Sequence, residues 1–233
     1  MTDKSTLVLM PGLDGNGKLF EPVIPLLEEN FRLQVITYPS LDSFNEYIDC
    51  AYQQLPQEPG YSILAESLSG PVAMALMSRL GDQIGPSVLC STFGRSPLQT
   101  MTELANLIPS QMISLGALNS YCLDVDDSMD EELTDTQPIP INVTTQLDGA
   151  ILKHRLNVLS RIDISALLPG IATKVLIMHG TQDRIVSKTH ADMVAQYLPN
   201  AHQINLNGPH LLLQTHPHLC IDLIKNHLLK KSG

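Results

Sequence analysis

The sequence predicts a doubly wound α/β protein: a six-stranded, mostly parallel sheet with helices on both faces and a helical cap inserted after the fourth strand. Three observations carry that prediction. Six short apolar runs recur along the 233 residues, and most are nearly continuous, as strands covered on both faces require. Helix-length segments separate most of them at the spacing of a strand–helix–strand unit. The interval between the fourth and fifth runs is far longer than the rest.

In chain order, the first run is Thr6 to Met10 and the second Leu33 to Thr37. Phe20 to Glu29 reads as the helix between them, with Pro22 and Pro25 moving its start toward Glu21. Ser43 to Leu55 is the next helix and Ser62 to Ala65 the third strand. That strand stops at Ser67, and Pro71 to Leu80 reads as a helix whose first turn suits proline, because the missing N–H costs little there. Val88 to Ser91 and Lys174 to Met178 are the fourth and fifth strands. Thr189 to Tyr197 is a helix, Gln203 to Leu206 the sixth strand and Pro217 to Lys230 a closing helix.

The long interval, about residues 95–171, reads as an insertion in a single domain spanning 1–233. Met101 to Leu123 is an apolar helical stretch, Asp124 to Gln137 an acidic loop, and a further helix lies around Thr144 to Ser160. An insertion there covers the carboxyl ends of the strands, where open α/β sheets bind ligands.

Bulk composition excludes several classes. Fourteen Lys and Arg stand against 24 Asp and Glu, for a net charge of −10, and no long basic run appears, so nucleic acid is not an expected partner. The apolar run after Met1–Ser5 is too short for a signal peptide or a membrane span, so neither a membrane association nor export is expected. Cys50, Cys90, Cys122 and Cys220 form no closely spaced pair, which suits free thiols in a reducing cytoplasm and gives a metal site no support.

The stretch Tyr61 to Pro71 carries the chemistry. Ser67 lies two residues after Ala65 and two before Ser69, a relaxed form of the G-x-S-x-G turn that projects a serine hydroxyl from a strained strand-to-helix reversal. An ordinary strand-to-helix turn also wants small residues, so the motif alone leaves both readings open. A serine becomes a nucleophile only when a base takes its proton and a third group orients that base. Asp183 follows the fifth strand and His210 the sixth, both just past strand carboxyl ends. The loop Thr92 to Ser96 after the fourth strand holds no carboxylate. For an oxyanion, the backbone N–H of Leu68 at the helix start is one donor, and that of Leu13 in Pro11 to Gly15 is the other.

With these pieces together, the chain resembles the α/β-hydrolase superfamily, in particular small bacterial carboxylesterase-like proteins, and more distantly the esterases that cleave pimeloyl-carrier methyl esters. The matching segments are Pro11-Gly12-Leu13-Asp14-Gly15, Ala65-Glu66-Ser67-Leu68-Ser69-Gly70, His179-Gly180-Thr181-Gln182-Asp183 and Gly208-Pro209-His210. The resemblance implies a triad in the order Ser67, Asp183, His210 and an N-terminally truncated version of the fold. Pro11-Gly12 replaces the usual His-Gly, and Ala65 and Ser69 replace two glycines.

Plainer roles compete for the same residues. His216 and His218 flank Pro217 and suit a polar helix entrance, and His179 suits a strand end. Asp183 could cap the following helix. Glu66 either tunes the site or finds a hydrogen-bond partner at the sheet's end. The run Asp124 to Asp130 lacks the glycine and final glutamate of a calcium loop and reads as solvated. Lys153, His154, Arg155 and Arg161 could dock an acyl carrier or coenzyme A, or simply form a surface helix face.

The expected protein is a serine hydrolase of a small-molecule carboxylic ester, working through an acyl-enzyme without a cofactor. A thioesterase or acyltransferase on a carrier- or CoA-linked acyl group is the first alternative. A non-catalytic ligand-binding protein or a lyase on the same fold is the second.

Overall fold

Alternation within each strand decides the architecture. In β1 (Thr6–Met10), Leu7 and Leu9 belong to one apolar cluster and Val8 and Met10 to another, and all four are fully buried. A strand buried on both faces must be sandwiched between layers. The computed structural model describes residues 4–97 and 146–229, with 102, 103, 106 and 112–114 between them.

The other members of the main sheet are β2 (Arg32–Val35), β3 (Ser62–Glu66), β4 (Ser87–Cys90), β7 (Val175–Gly180) and β8 (Ala201–Leu206). Their order is β2-β1-β3-β4-β7-β8, and every neighbouring pair is parallel, so the six predicted runs form one all-parallel sheet. One face is covered by α1 (Ile24–Glu28), the short α6 (Leu212–Thr215) and α7 (Pro217–Leu229), through Leu27, Leu212, Cys220, Ile221 and Ile224. The other carries α2 (Phe44–Gln53), α3 (Ser69–Leu80), α4 (Gly149–Leu159) and α5 (Lys188–Tyr197), through Tyr47, Val72, Leu156 and Val194.

Two expectations change. The helix expected at Phe20 to Glu29 is a 3₁₀ turn, Lys18–Phe20, followed by the five-residue α1, because Pro22 lacks the N–H that a continuous helix needs and Pro25 suits a new first turn. Within the expected helix Met101 to Leu123, β5 (Met112–Ser114) is extended and pairs antiparallel with β6 (Gln146–Asp148). A short apolar run fits either period, and here the ladder to Gln146–Asp148 decides for the strand. It also delays the following helix to Gly149, where the Asp148 carboxylate caps it by accepting from the Ala150 and Ile151 N–H groups at 2.8 and 3.3 Å. The acidic run Asp124 to Gln137 and Cys122 lie outside the described residues.

The sheet order places the functional crevice. From β1 the chain moves outward to β2, then returns to lay β3 on β1's other side, so the crossovers diverge between β1 and β3. At such a switch point the loops after the two strands part and leave room at their carboxyl ends. Pro11–Gly15 and Ser67 are the segments that follow them.

Candidate active site

Ser67 follows β3 directly and adopts φ 49°, a left-handed conformation that a non-glycine residue avoids at a cost of about 1–3 kcal/mol. Hydrogen bonds from both sides hold it there. Its N–H donates to the Cys90 carbonyl at 2.9 Å, while its own carbonyl accepts from the Gly70 N–H at 3.0 Å and Thr92 Oγ1 at 2.7 Å. Gly70 is required by this arrangement, since a Cβ there would collide with Thr92. Ser69 does more than stay small: Tyr38 Oη donates to its hydroxyl at 3.1 Å, and that hydroxyl donates to the Pro11 carbonyl, tying the Ser67 turn to the loop after β1.

Asp183 and His210 arrive from β7 and β8. Their loops pack so closely that a Cβ on Gly180 would run into the Gly208 and Pro209 backbone, and the Gln182 N–H donates to the Gly208 carbonyl at 3.0 Å. The His210 backbone is held from beneath by Ser91 Oγ, which donates to its carbonyl at 2.6 Å.

Three side chains therefore meet. His210 Nδ1 lies 2.7 Å from Asp183 Oδ2 and His210 Nε2 lies 3.0 Å from Ser67 Oγ. A carboxylate only accepts, so Nδ1 carries the proton and the Nε2 lone pair faces the serine hydroxyl. Asp183 does not cap the following helix, which starts at Lys188 with Ser187 at its N-cap. Instead Oδ1 accepts from the Ile185 and Val186 N–H groups of the loop, both at 2.8 Å, while Oδ2 faces the histidine. Burial alone would push the imidazole pKa down, but the Asp183 charge, the Asp183 hydrogen bond and the Glu66 charge outweigh it and raise it above 6.5.

Glu66 is 1% exposed, with Oε1 accepting from Gln214 Nε2 at 2.9 Å and Oε2 unpartnered. Burial drives its pKa up to about 7, aided by the Asp14 charge and opposed by Gln214 and His210. The expected hydrogen-bond partner is there, and so is a carboxyl poised to titrate behind the serine. His179 ends β7 as a buried strand residue, with its pKa lowered chiefly by burial. His216 bonds Thr215 Oγ1 at 2.8 Å and packs beneath Gly208.

Leu68 immediately precedes α3, whose first N–H groups lack intrahelical acceptors, and Gly12 lies against the serine, with a Cβ built there 3.6 Å from Ser67 Cβ. The basic cluster divides. Arg161 is exposed and Lys153 half-buried. His154 Nε2 reaches the Leu41 carbonyl at 2.9 Å and Asp42 at 3.1 Å. Arg155 is 5% exposed and points inward, against the expected surface face. Among the described residues no three His, Cys, Asp or Glu side chains are grouped to hold a metal ion, and no helix is long and apolar enough to cross a membrane.

No family model matches the chain. It is 24% identical over 224 residues, 84% of each chain, to a pimeloyl-[acyl-carrier protein] methyl ester esterase from Nitrosomonas europaea. Among solved structures, an enol-lactonase from Burkholderia xenovorans superposes with a TM-score of 0.73 at 17% identity, covering 98% of this chain and 92% of that one. The chain has the α/β-hydrolase fold. A lipase-esterase related protein from Clostridium acetobutylicum shares the same α/β-hydrolase fold, with a TM-score of 0.77 at 16% identity over 97% of this chain and 95% of that one.

From sequence, Ser91, Thr92 and Tyr38 have no site role and Arg155 only a place in the basic cluster, and no local signal could have found the contacts they make. Ser91 Oγ meets a carbonyl 119 positions away, and Arg155 one 142 positions away.

Proposed function

We propose that this α/β-hydrolase is a serine hydrolase that cleaves a carboxylic ester through an acyl-enzyme. The observation that carries the reading is the unbroken chain of hydrogen bonds from Ser67 Oγ through both His210 nitrogens to Asp183, at 3.0 and 2.7 Å. His210 Nε2 takes the hydroxyl proton as Ser67 Oγ bonds to the acyl carbon. The Leu13 and Leu68 N–H groups stabilise the oxyanion. The imidazolium then protonates the departing alcohol, leaving Ser67 acylated. Water attacks the acyl-enzyme, gives a proton to the same nitrogen, and the acid leaves as Ser67 recovers its hydrogen.

Asp183 has the role of holding the Nδ1–H tautomer and offsetting the imidazolium charge. Ester cleavage is also what the names of the Nitrosomonas esterase and the Burkholderia lactonase describe for those proteins, which supports an ester as the substrate class. The test is intact-mass detection of a fluorophosphonate adduct, located at Ser67 by peptide mapping, followed by esters of graded acyl length with an acyl-CoA comparison. A folded protein that neither labels nor turns over esters would end the reading.

A further inference from the structure

The loop after β1 is bonded within itself through the Asp14 carboxylate, which accepts from the Leu19 N–H at 3.5 Å, and through its backbone. Its one turn bond runs from the Gly15 N–H to the Gly12 carbonyl at 3.1 Å. Because the Gly12–Leu13 peptide is planar and trans, fixing that carbonyl sets the Leu13 N–H in the opposite direction. The next two carbonyls, of Leu13 and Asp14, are held from outside. Arg155 on α4 donates to both from Nη1, at 2.7 and 2.8 Å, and from Nη2 to the Tyr38 carbonyl at 2.9 Å. Tyr38 in turn donates its N–H to the Gly15 carbonyl at 2.7 Å. Gly15 sits at φ +64°, and a Cβ on it would strike the guanidinium, so this turn and this side chain fit only each other.

Removing a guanidinium from water is costly, and an apolar side chain would fill the same space without that penalty. What the guanidinium adds is direction: a rigid fork that fixes successive carbonyls in one orientation. We propose that Arg155 is the positioning residue of the oxyanion loop, gripping the Leu13 and Asp14 carbonyls so that the Leu13 N–H faces the acyl oxygen. This rests on the serine-hydrolase reading of Ser67. It makes helix α4, far along the chain, a determinant of the chemical step rather than only of substrate access.

The test compares full-length wild type with Arg155→Met, which keeps the aliphatic stem, and Arg155→Lys, which keeps the charge but not the fork. Three quantities are read: kcat, KM on a short-chain aryl ester, and Ki of a trifluoromethyl ketone, whose serine adduct carries the oxyanion. Loss of one oxyanion donor costs about 10²–10³ in kcat, so R155M should lose about 30- to 300-fold with KM within about threefold. Its Ki should rise in step with the loss in kcat/KM, and R155K should lose about 3- to 30-fold in the same pattern. A merely structural role would lower the active fraction and leave the Ki of the surviving sites unchanged. Should R155M not fold, R155K alone decides. Wild-type kcat and Ki in the folded variant, or a raised KM with kcat intact, would overturn the proposal. A wild type that neither labels nor hydrolyses removes the serine-hydrolase reading and this proposal together, whereas an active wild type with unaltered variants removes this proposal alone.

Discussion

Replacing Glu66 by Gln tests the electrostatics behind the serine most directly. The carboxyl is sealed from solvent, with one oxygen bonded to Gln214 and the other without a partner, so burial favours its neutral form. Its pKa rises from 4.5 to about 7 on folding. Between those values the native protein holds a proton that the unfolded chain has released, so stability falls as pH rises through that window and levels off above it. Integrated from pH 5 to pH 8, the loss amounts to roughly 2–3 kcal/mol. The amide of the E66Q variant cannot ionise and shows no such loss. Its extra N–H₂ group adds a pH-independent penalty of about 1–3 kcal/mol if it finds no acceptor, which is why the measurement is the pH dependence of the difference. Urea unfolding of wild type and E66Q at pH 5 and pH 8, with equal slopes, isolates it. The advantage of E66Q over wild type should grow by roughly 2–3 kcal/mol between the two conditions. A difference flat to within about 1 kcal/mol would show that Glu66 takes up no proton on folding.

Other expectations follow from the same geometry. Ser67→Ala should lower ester turnover by about three to six orders of magnitude with the fold intact, as steady-state assays and circular dichroism will show. In the proposed mechanism His210 must be neutral to accept the serine proton, and with Asp183 holding its pKa above 6.5, wild-type kcat/KM should climb with pH through a midpoint above 6.5. Asp183→Asn should move that midpoint down as well as slow the reaction, and an unmoved midpoint would show that Asp183 does not set the His210 charge. Ser91 sits at φ 50° and donates to the His210 carbonyl, so Ser91→Gly removes a bond worth about 1 kcal/mol while relieving backbone strain of about the same size. Its melting temperature should therefore stay close to wild type while kcat falls, and a drop in stability with kcat unchanged would reverse that assignment.

The legible part of this protein was the part encoded in neighbouring residues. The four inner strands of the parallel sheet appeared as nearly continuous apolar runs because a strand covered on both faces leaves no polar alternation to confuse. The edge strands β2 and β8 are partly exposed and keep polar residues such as Gln34 and Gln203. Ser67, Asp183 and His210 stood out for a related reason: each follows a strand end, and parallel strands bring their carboxyl ends to one rim. The failures were equally physical. Prolines broke the first helix into two pieces, and Met112–Ser114 took its strand partner from Gln146–Asp148, far along the chain. Neither outcome follows from propensity within a short window.

Local sequence determined the periodicity, the strand-end placement of the three chemical side chains and the small residues that let the Ser67 turn close. Tertiary structure alone decided how the site is supported. Arg155 reads from sequence as one more cation on a helix face, yet its guanidinium lies inside, shared among the carbonyls of Leu13, Asp14 and Tyr38. Glu66 reads as an acid beside the serine, yet its protonation depends first on its burial and then on Gln214 and Asp14, all supplied by distant segments. A hydrogen bond or a charge interaction acts through a few ångströms of space, and separation along the chain says nothing about that distance until the sheet has formed.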